Sequence, residues 1–250
     1  MGGGMSKFGV TYGSKAYKAM KASGQTQSKN SKFLDFGAKW EAVKKSTAFF
    51  NDPNSSNFND WVQGLTHGES RAIKDYTGES GISYHQINKN LYTKKWEDIP
   101  SSVQERIKEM DKAFDKALLL KGIQVTRQCD FKIFGAQSGQ KMSIQQIKDY
   151  IKKNGDNGVL GNKGYLSFGA NNHGAAIDGS GLVIHAKVPP SQGAGQYVNP
   201  ISKVPGASEN EFLFNRGANF KFDLSSLRTD SSGKIHINAT WVPKKKKRKK

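Results

Sequence analysis

Helical periodicity in the first half of the chain, two-residue alternation in the second half and a glycine-rich stretch between them predict an α+β protein. Helices are expected to lead into mainly antiparallel strands. From Phe33 to Phe50, the residues Phe36, Trp40, Val43 and Phe50 fall at helical spacing, and Asn-Asp-Pro-Asn-Ser-Ser at 51–56 reads as the break that follows. Thr66-His-Gly-Glu69 has the form of a capping box, in which hydroxyl and carboxylate each satisfy a free backbone N–H, so a helix is expected through Tyr76. A further helix over about 83–92 puts Tyr84, Ile87, Asn88 and Leu91 on one side. Ser102-Val-Gln-Glu105 reads as a second capping box, opening a helix whose stripe is Val103, Ile107, Met110, Phe114 and Leu118.

After Gly122 the period changes. Ile123-Gln-Val-Thr-Arg127 alternates as a half-buried strand does and places Arg127 at its end. Ser143-Ile-Gln-Gln146 caps a short helix with Ile144, Ile147 and Ile151 inward. Eight glycines between 155 and 181 mark a long loop with a short strand near Tyr165 to Ser167, and loops of this length tend to be functional. Leu182 to Val188 reads as a strand stopped by Pro189-Pro190. Strands are then expected at Glu211 to Phe214, Ala218 to Asp223 and Lys234 to Val242, joined by the turns Asn215-Arg-Gly217 and Ser231-Ser-Gly233. The organisation expected is a basic arm over 1–32, one folded domain over 33–242 and a polybasic tail over 243–250.

Composition limits the function classes. The 250 residues are 35% hydrophobic and 10% aromatic, enough to fill a core. The longest aliphatic run, Ala117 to Leu120, is far short of the roughly 20 residues of a membrane-spanning helix. No apolar signal segment opens the chain, so the expectation is a cytoplasmic protein or one delivered into a host cell without such a signal. The Met1-Gly2 start with Ser6 fits a loose acylation pattern, and a flexible leader with Met5 as natural start is the preferred reading. One cysteine, Cys129, excludes an intrachain disulfide, and five scattered histidines lack helical metal-pair spacing, so no metal is expected. The net charge is +18, and the seven basic residues Lys244–Lys250 account for seven of it, leaving a body at +11. Such a charge favours encounter with nucleic acid or another anionic surface.

Three polar groups stand where apolar strands open into loops: Arg127, Ser167 and the pair Glu209 and Glu211. Together with Leu65 to Gly78, Tyr84-His-Gln-Ile-Asn88, Gly164-Tyr-Leu-Ser167, Val188 to Tyr197 and Ser208-Glu-Asn-Glu-Phe-Leu-Phe-Asn-Arg-Gly217, they resemble the exotoxin-type mono-ADP-ribosyltransferases. The class is defined by an Arg, a Ser-Thr-Ser strand and a catalytic Glu. The resemblance implies two packed, mainly antiparallel sheets around a central NAD cleft, with NAD as co-substrate. It implies Glu211, Glu209, Arg127 and Ser167 as catalytic residues, and Arg127, Gln128, Ser167, Tyr76, Tyr84 and Asn88 as NAD contacts. Glu at 209 goes, in that family, with arginine acceptors on target proteins. A toxin, effector or phage-encoded host modifier, acting as a monomer, is the expectation that follows. The chain departs from the family pattern at Gln128, where Gly is usual, and at Phe168 and Gly169, where Thr and Ser are usual. Two other readings stand beside it: ADP-ribosylation of nucleic acid or of proteins bound to it, and a catalytically decayed basic protein that binds nucleic acid or an anionic surface.

Overall fold

The computed structural model describes residues 54–79, 81–137, 139–170, 175–176, 181–198, 201–203 and 211–243. The expected helix over 33–50, the arm over 1–32, Glu209 and the run 244–250 lie outside the described residues.

Five α-helices are described: α1 (Asn54–Gln63), α2 (His67–Tyr76), α3 (Tyr84–Thr93), α4 (Ser101–Asp115) and α5 (Ile144–Asn154). The run at 51–56, expected only as a break, also contains the start of α1. Residues that end one helix are compatible with the first turn of the next, where backbone N–H groups have no intrahelical partner. Thr66 and Ser143 form the expected capping boxes of α2 and α5, with Glu69 and Gln146 reaching back. The expected box at Ser102 does not form. Pro100 is the N-cap of α4 and the helix starts at Ser101, which leaves Ser102 inside the first turn. Its apolar stripe is as expected, with Val103, Ile107, Met110 and Phe114 fully buried, while Leu118 lies beyond the helix and is 41% exposed. Glu69 is 2% exposed, yet its carboxylate is satisfied by the Thr66 N–H at 2.8 Å and by the Lys116 ammonium at 2.7 Å. A buried charge is tolerated when it is paired in this way.

The strands are β1 (Leu118–Leu119), β2 (Ile123–Cys129), β3 (Val159–Gly161), β4 (Leu166–Gly169), β5 (Ala175–Ala176), β6 (Leu182–Val188), β7 (Ser191–Gln192), β8 (Gly195–Tyr197), β9 (Glu211–Phe214), β10 (Asn219–Thr229) and β11 (Ile235–Val242). β1 and β7 form a two-stranded sheet. The rest follow the order β3-β10-β11-β6-β2-β4-β9-β8, with β5 alongside β2. Most pairs are antiparallel; β6 with β11 and β2 with β5 are parallel. Hydrogen bonding is thus continuous where two sheets were expected, but β2 and β4 share a single residue pair, Thr126 with Gly169. That corner divides the strands into a larger group through β2 and a smaller group β4-β9-β8. The mixed α+β architecture matches the expectation from the sequence.

Phenylalanines join the two groups. Phe168 of β4 lies 5.0 Å, edge to face, from Phe214 of β9 and is stacked 5.7 Å from Phe220 of β10. Phe134 meets Phe222 at 5.3 Å. Aromatic pairs of this kind add about 0.5–1.5 kcal/mol beyond the area they bury. On the helical side, Trp61 of α1 donates its indole N–H to the Ala113 carbonyl at 2.6 Å and stacks on Phe114, while Phe58 packs on Tyr197 of β8. α1 and α4 therefore back the smaller strand group, the one that carries Ser167 and Glu211. Among the described residues, no helix is long and apolar enough to cross a membrane.

On the opposite face of the larger group, His185 Nε2 lies 2.9 Å from His236 Nδ1, and His236 Nε2 lies 2.9 Å from Asp230 Oδ2. One proton can sit between the two facing ring nitrogens; a second would set two N–H groups against each other. Burial first, then the charges of His236 and Arg228, hold His185 below the ordinary imidazole value. The unfolded chain therefore binds more protons than the native one just below about pH 6.5, so this contribution is full above that value and lost as pH falls from there through the lower native value. The urea midpoint is expected to drop between about pH 7.5 and about pH 5.5, and less so in His185→Gln. Equal drops in the two proteins would remove His185 as the cause.

Candidate functional site

Five elements meet at the corner between the strand groups. β2 brings Arg127, β4 brings Ser167, β9 opens with Glu211, and α2 and α3 bring Tyr76 and Asn88. The β4–β9 register pairs Gly169 with Glu211 and Ser167 with Leu213. Across it the Ser167 hydroxyl donates to Glu211 Oε1 at 2.6 Å. Arg127 Nη1 donates to the Ser167 carbonyl at 2.6 Å, and its guanidinium lies 6.0 Å from the Phe168 ring. A single serine thus ties both charged residues together, through its carbonyl to the cation and through its hydroxyl to the carboxylate.

Alternation along β4 explains one departure from the family pattern. Ser167 is only partly buried and meets the two charged groups, whereas Phe168, where Thr is usual, is 1% exposed and fills the core between the strand groups. Gly169 stands at the joint itself, paired with Thr126 on one side and Glu211 on the other. Alternation along β2 has the reverse consequence for Gln128. Its Oε1 accepts from Lys234 Nζ at 3.1 Å, on the side where Thr126 meets His185 and away from Arg127. The structure does not bring Gln128 to the cluster.

Tyr76 is 2% exposed, and its hydroxyl donates to the Tyr165 carbonyl at 3.4 Å. Asn88 holds the backbone of Tyr165 on both sides of its Cα. Its Nδ2 donates to the Tyr165 carbonyl and to the Tyr76 hydroxyl, each at 3.1 Å, and its Oδ1 accepts the Tyr165 N–H at 3.0 Å. Tyr84 is 37% exposed, with its ring edge-on to Tyr76. Of the three aromatic and amide residues expected at NAD, Tyr76 and Asn88 thus hold β4 in place, and Tyr84 presents a ring to solvent. Burial above all, with the Glu211 charge second, drives the Tyr76 hydroxyl far above its ordinary value. It stays protonated and acts as a donor. The opposite contribution of Arg127 places both charged residues within electrostatic range of the Tyr76 hydroxyl.

The donor set fits NAD. Among the described residues Arg127 forms no ion pair, and its contact with the Ser167 carbonyl uses one of five guanidinium donors, which leaves several for a pyrophosphate. Cys129 follows on the same strand face, 5% exposed, and burial raises its thiol, consistent with packing rather than nucleophilic use. No group of three or more His, Cys, Asp or Glu among the described residues could hold a metal ion.

Sequence reading missed Tyr165, Asp111 and Arg216. The Tyr165 hydroxyl donates to Asp111 Oδ1 at 2.8 Å, and Arg216 grips the same carboxylate, Nε to Oδ1 at 2.8 Å and Nη2 to Oδ2 at 2.6 Å. Arg216 was visible only as a turn residue. Asp111, beside the apolar stripe of α4, carries no local signal.

A family model described as ADP-ribosyltransferase exoenzyme matches residues 51–244. Among solved structures, the chain is similar to Plx2a, an ADP-ribosyltransferase toxin from Paenibacillus larvae, with 24% identity over 82% of this chain and 97% of that one and a TM-score of 0.63. It is also similar to the C3 exoenzyme of Clostridium limosum, with 19% identity, 76% and 91% coverage and a TM-score of 0.59. A third is C3stau2 from S. aureus with NAD, with 19% identity, 76% and 94% coverage and a TM-score of 0.56. At these identities the likeness shows the fold. No curated protein sequence matches the chain.

Proposed function

Because the chain belongs to the ADP-ribosyltransferase exoenzyme family, we propose that it transfers ADP-ribose from NAD to arginine side chains of target proteins, with Glu211 as the catalytic carboxylate. The single observation that carries this is the chain Arg127–Ser167–Glu211, closed by two hydrogen bonds of 2.6 Å at the mouth of β4 and β9. NAD when bound supplies a nicotinamide–ribose bond whose cleavage develops positive charge on the ribose and releases neutral nicotinamide. The Glu211 carboxylate stabilises that charge, and its hydrogen bond from Ser167 fixes it before the reaction, so little reorganisation is needed. Arg127 holds the pyrophosphate through charge-assisted hydrogen bonds. Glu209 orients the acceptor guanidinium and takes a proton as its nitrogen bonds to the ribose, a step such a weakly nucleophilic cation cannot make unaided.

Glu209 supports arginine as the acceptor, since Glu at this position goes with arginine acceptors in the family, and an extended chain there would point both carboxylates to one side. The partner is a protein with an exposed arginine, met in a cell into which this chain is delivered. The +18 charge supports encounter with anionic surroundings there. Labelled NAD, incubated with the protein and an arginine-rich acceptor, tests the reading. Label in the acceptor that hydroxylamine releases as from an arginine linkage supports it, and label confined to another side chain or to nucleic acid contradicts the arginine assignment.

A further inference from the structure

We propose that Asp111 is a positioning residue for this reaction: by holding the Tyr165 hydroxyl and the Arg216 guanidinium at once, its carboxylate fixes β4 against β9 and so sets the Ser167–Glu211 hydrogen bond. The inference rests on the transferase reading above.

Ser167 and Glu211 sit on adjacent strands, and each strand has one end tied to α4 through the same carboxylate. Tyr165 precede Ser167 by two residues, just before β4; Arg216 follows β9 by two. The Tyr165 ring is 1% exposed, and its hydroxyl meets Asp111 Oδ1 at 2.8 Å and the Ile107 carbonyl at 3.2 Å. Its backbone is the one Asn88 holds on both sides of the Cα. Arg216 lies bidentate on Asp111, and its guanidinium sits 5.5 Å from the Trp96 ring, which limits where the fork can go. Hydrogen bonding to Asp111 is also the first cause that holds the Arg216 guanidinium above its ordinary value. Only four residue pairs join β4 to β9, from Leu166 with Phe214 to Gly169 with Glu211. A ladder so short has little stiffness of its own, so a bracket at the Tyr165–Arg216 end determines how closely Ser167 approaches Glu211 at the other. A misplacement of about 1 Å costs up to about 100-fold in rate when it falls on catalytic groups.

The test is NAD hydrolysis by the full chain and by Asp111→Ala, Asp111→Asn and Tyr165→Phe, each also combined with Ser167→Ala, with thermal midpoints in parallel. Asp111→Ala is expected to lower kcat about tenfold with KM for NAD within about twofold, and Asp111→Asn and Tyr165→Phe less. In the Ser167→Ala background, where the hydrogen bond is already gone, Asp111→Ala should cost less than about twofold. A merely structural role leaves the same loss in both backgrounds, or lowers the midpoint with kcat unchanged, and either result overturns the proposal. Should Asp111→Ala not fold, Tyr165→Phe, which removes one hydroxyl and keeps the ring, decides by the same comparison. Absence of turnover in the unmodified protein removes this inference together with the transferase reading; turnover that Asp111 and Tyr165 do not affect removes this inference alone.

Discussion

Glu211→Ala is expected to lower ADP-ribosyl transfer and NAD hydrolysis together by about 1,000-fold, at the upper end of the loss seen when one preorganised electrostatic group is removed from an active site. The structure shows why the loss should be catalytic. Glu211 is only partly buried at the start of β9, while Phe212, Leu213 and Phe214 that follow are fully buried and anchor the strand without it. The Ser167 hydroxyl loses its acceptor but stays close to solvent, so stability should change little. Measured kcat for both reactions beside the urea midpoint separates the two effects. A variant that unfolds, or one that hydrolyses NAD at the original rate, would count against Glu211 as the charge-stabilising group.

Glu209→Gln should divide the two reactions. Water can accept ADP-ribose without help in shedding a proton from a guanidinium, whereas arginine cannot, so transfer to arginine should fall by about 100-fold or more while hydrolysis stays within a few-fold. The comparison needs one preparation assayed with and without an arginine acceptor. Equal losses in both reactions would place Glu209 at the NAD bond instead of the acceptor. Unchanged arginine transfer would leave the acceptor specificity without a residue to carry it.

How much of this was legible in the sequence depends on whether the cause was local. β6 ran from Leu182 to Val188 as expected because alternation and a Pro-Pro stop both act within a few residues, and β9 matched from Glu211 to Phe214. The capping boxes of α2 and α5 were legible for the same reason, and the one at Ser102 failed because Pro100 takes the cap two residues earlier. β10 ran on to Thr229, six residues past its apolar alternation, because its partner β11 pairs with it through an irregular register between Asp223 and Arg228. No pattern within the glycine-rich stretch could reveal that Gly169 pairs with both Thr126 and Glu211. Arg127, Ser167 and Glu211 were singled out by their order along the chain, and the structure supplies the contacts between them. Asn88 shows the limit of that approach. It was singled out by resemblance, and no pattern in the sequence pointed to the bonds of its amide with Tyr165, 77 residues away. Asp111 was not found at all, because its partners lie 54 and 105 residues distant.

The central claim is that the Arg127–Ser167–Glu211 corner breaks NAD and passes ADP-ribose to arginine. Transfer of labelled ADP-ribose from NAD to an arginine-rich acceptor, by the unmodified protein and by Glu211→Ala side by side, tests it most directly. The account predicts label in the acceptor with the first protein and none above background with the second. Equal labelling by both, or no labelling and no NAD turnover by either, would contradict it.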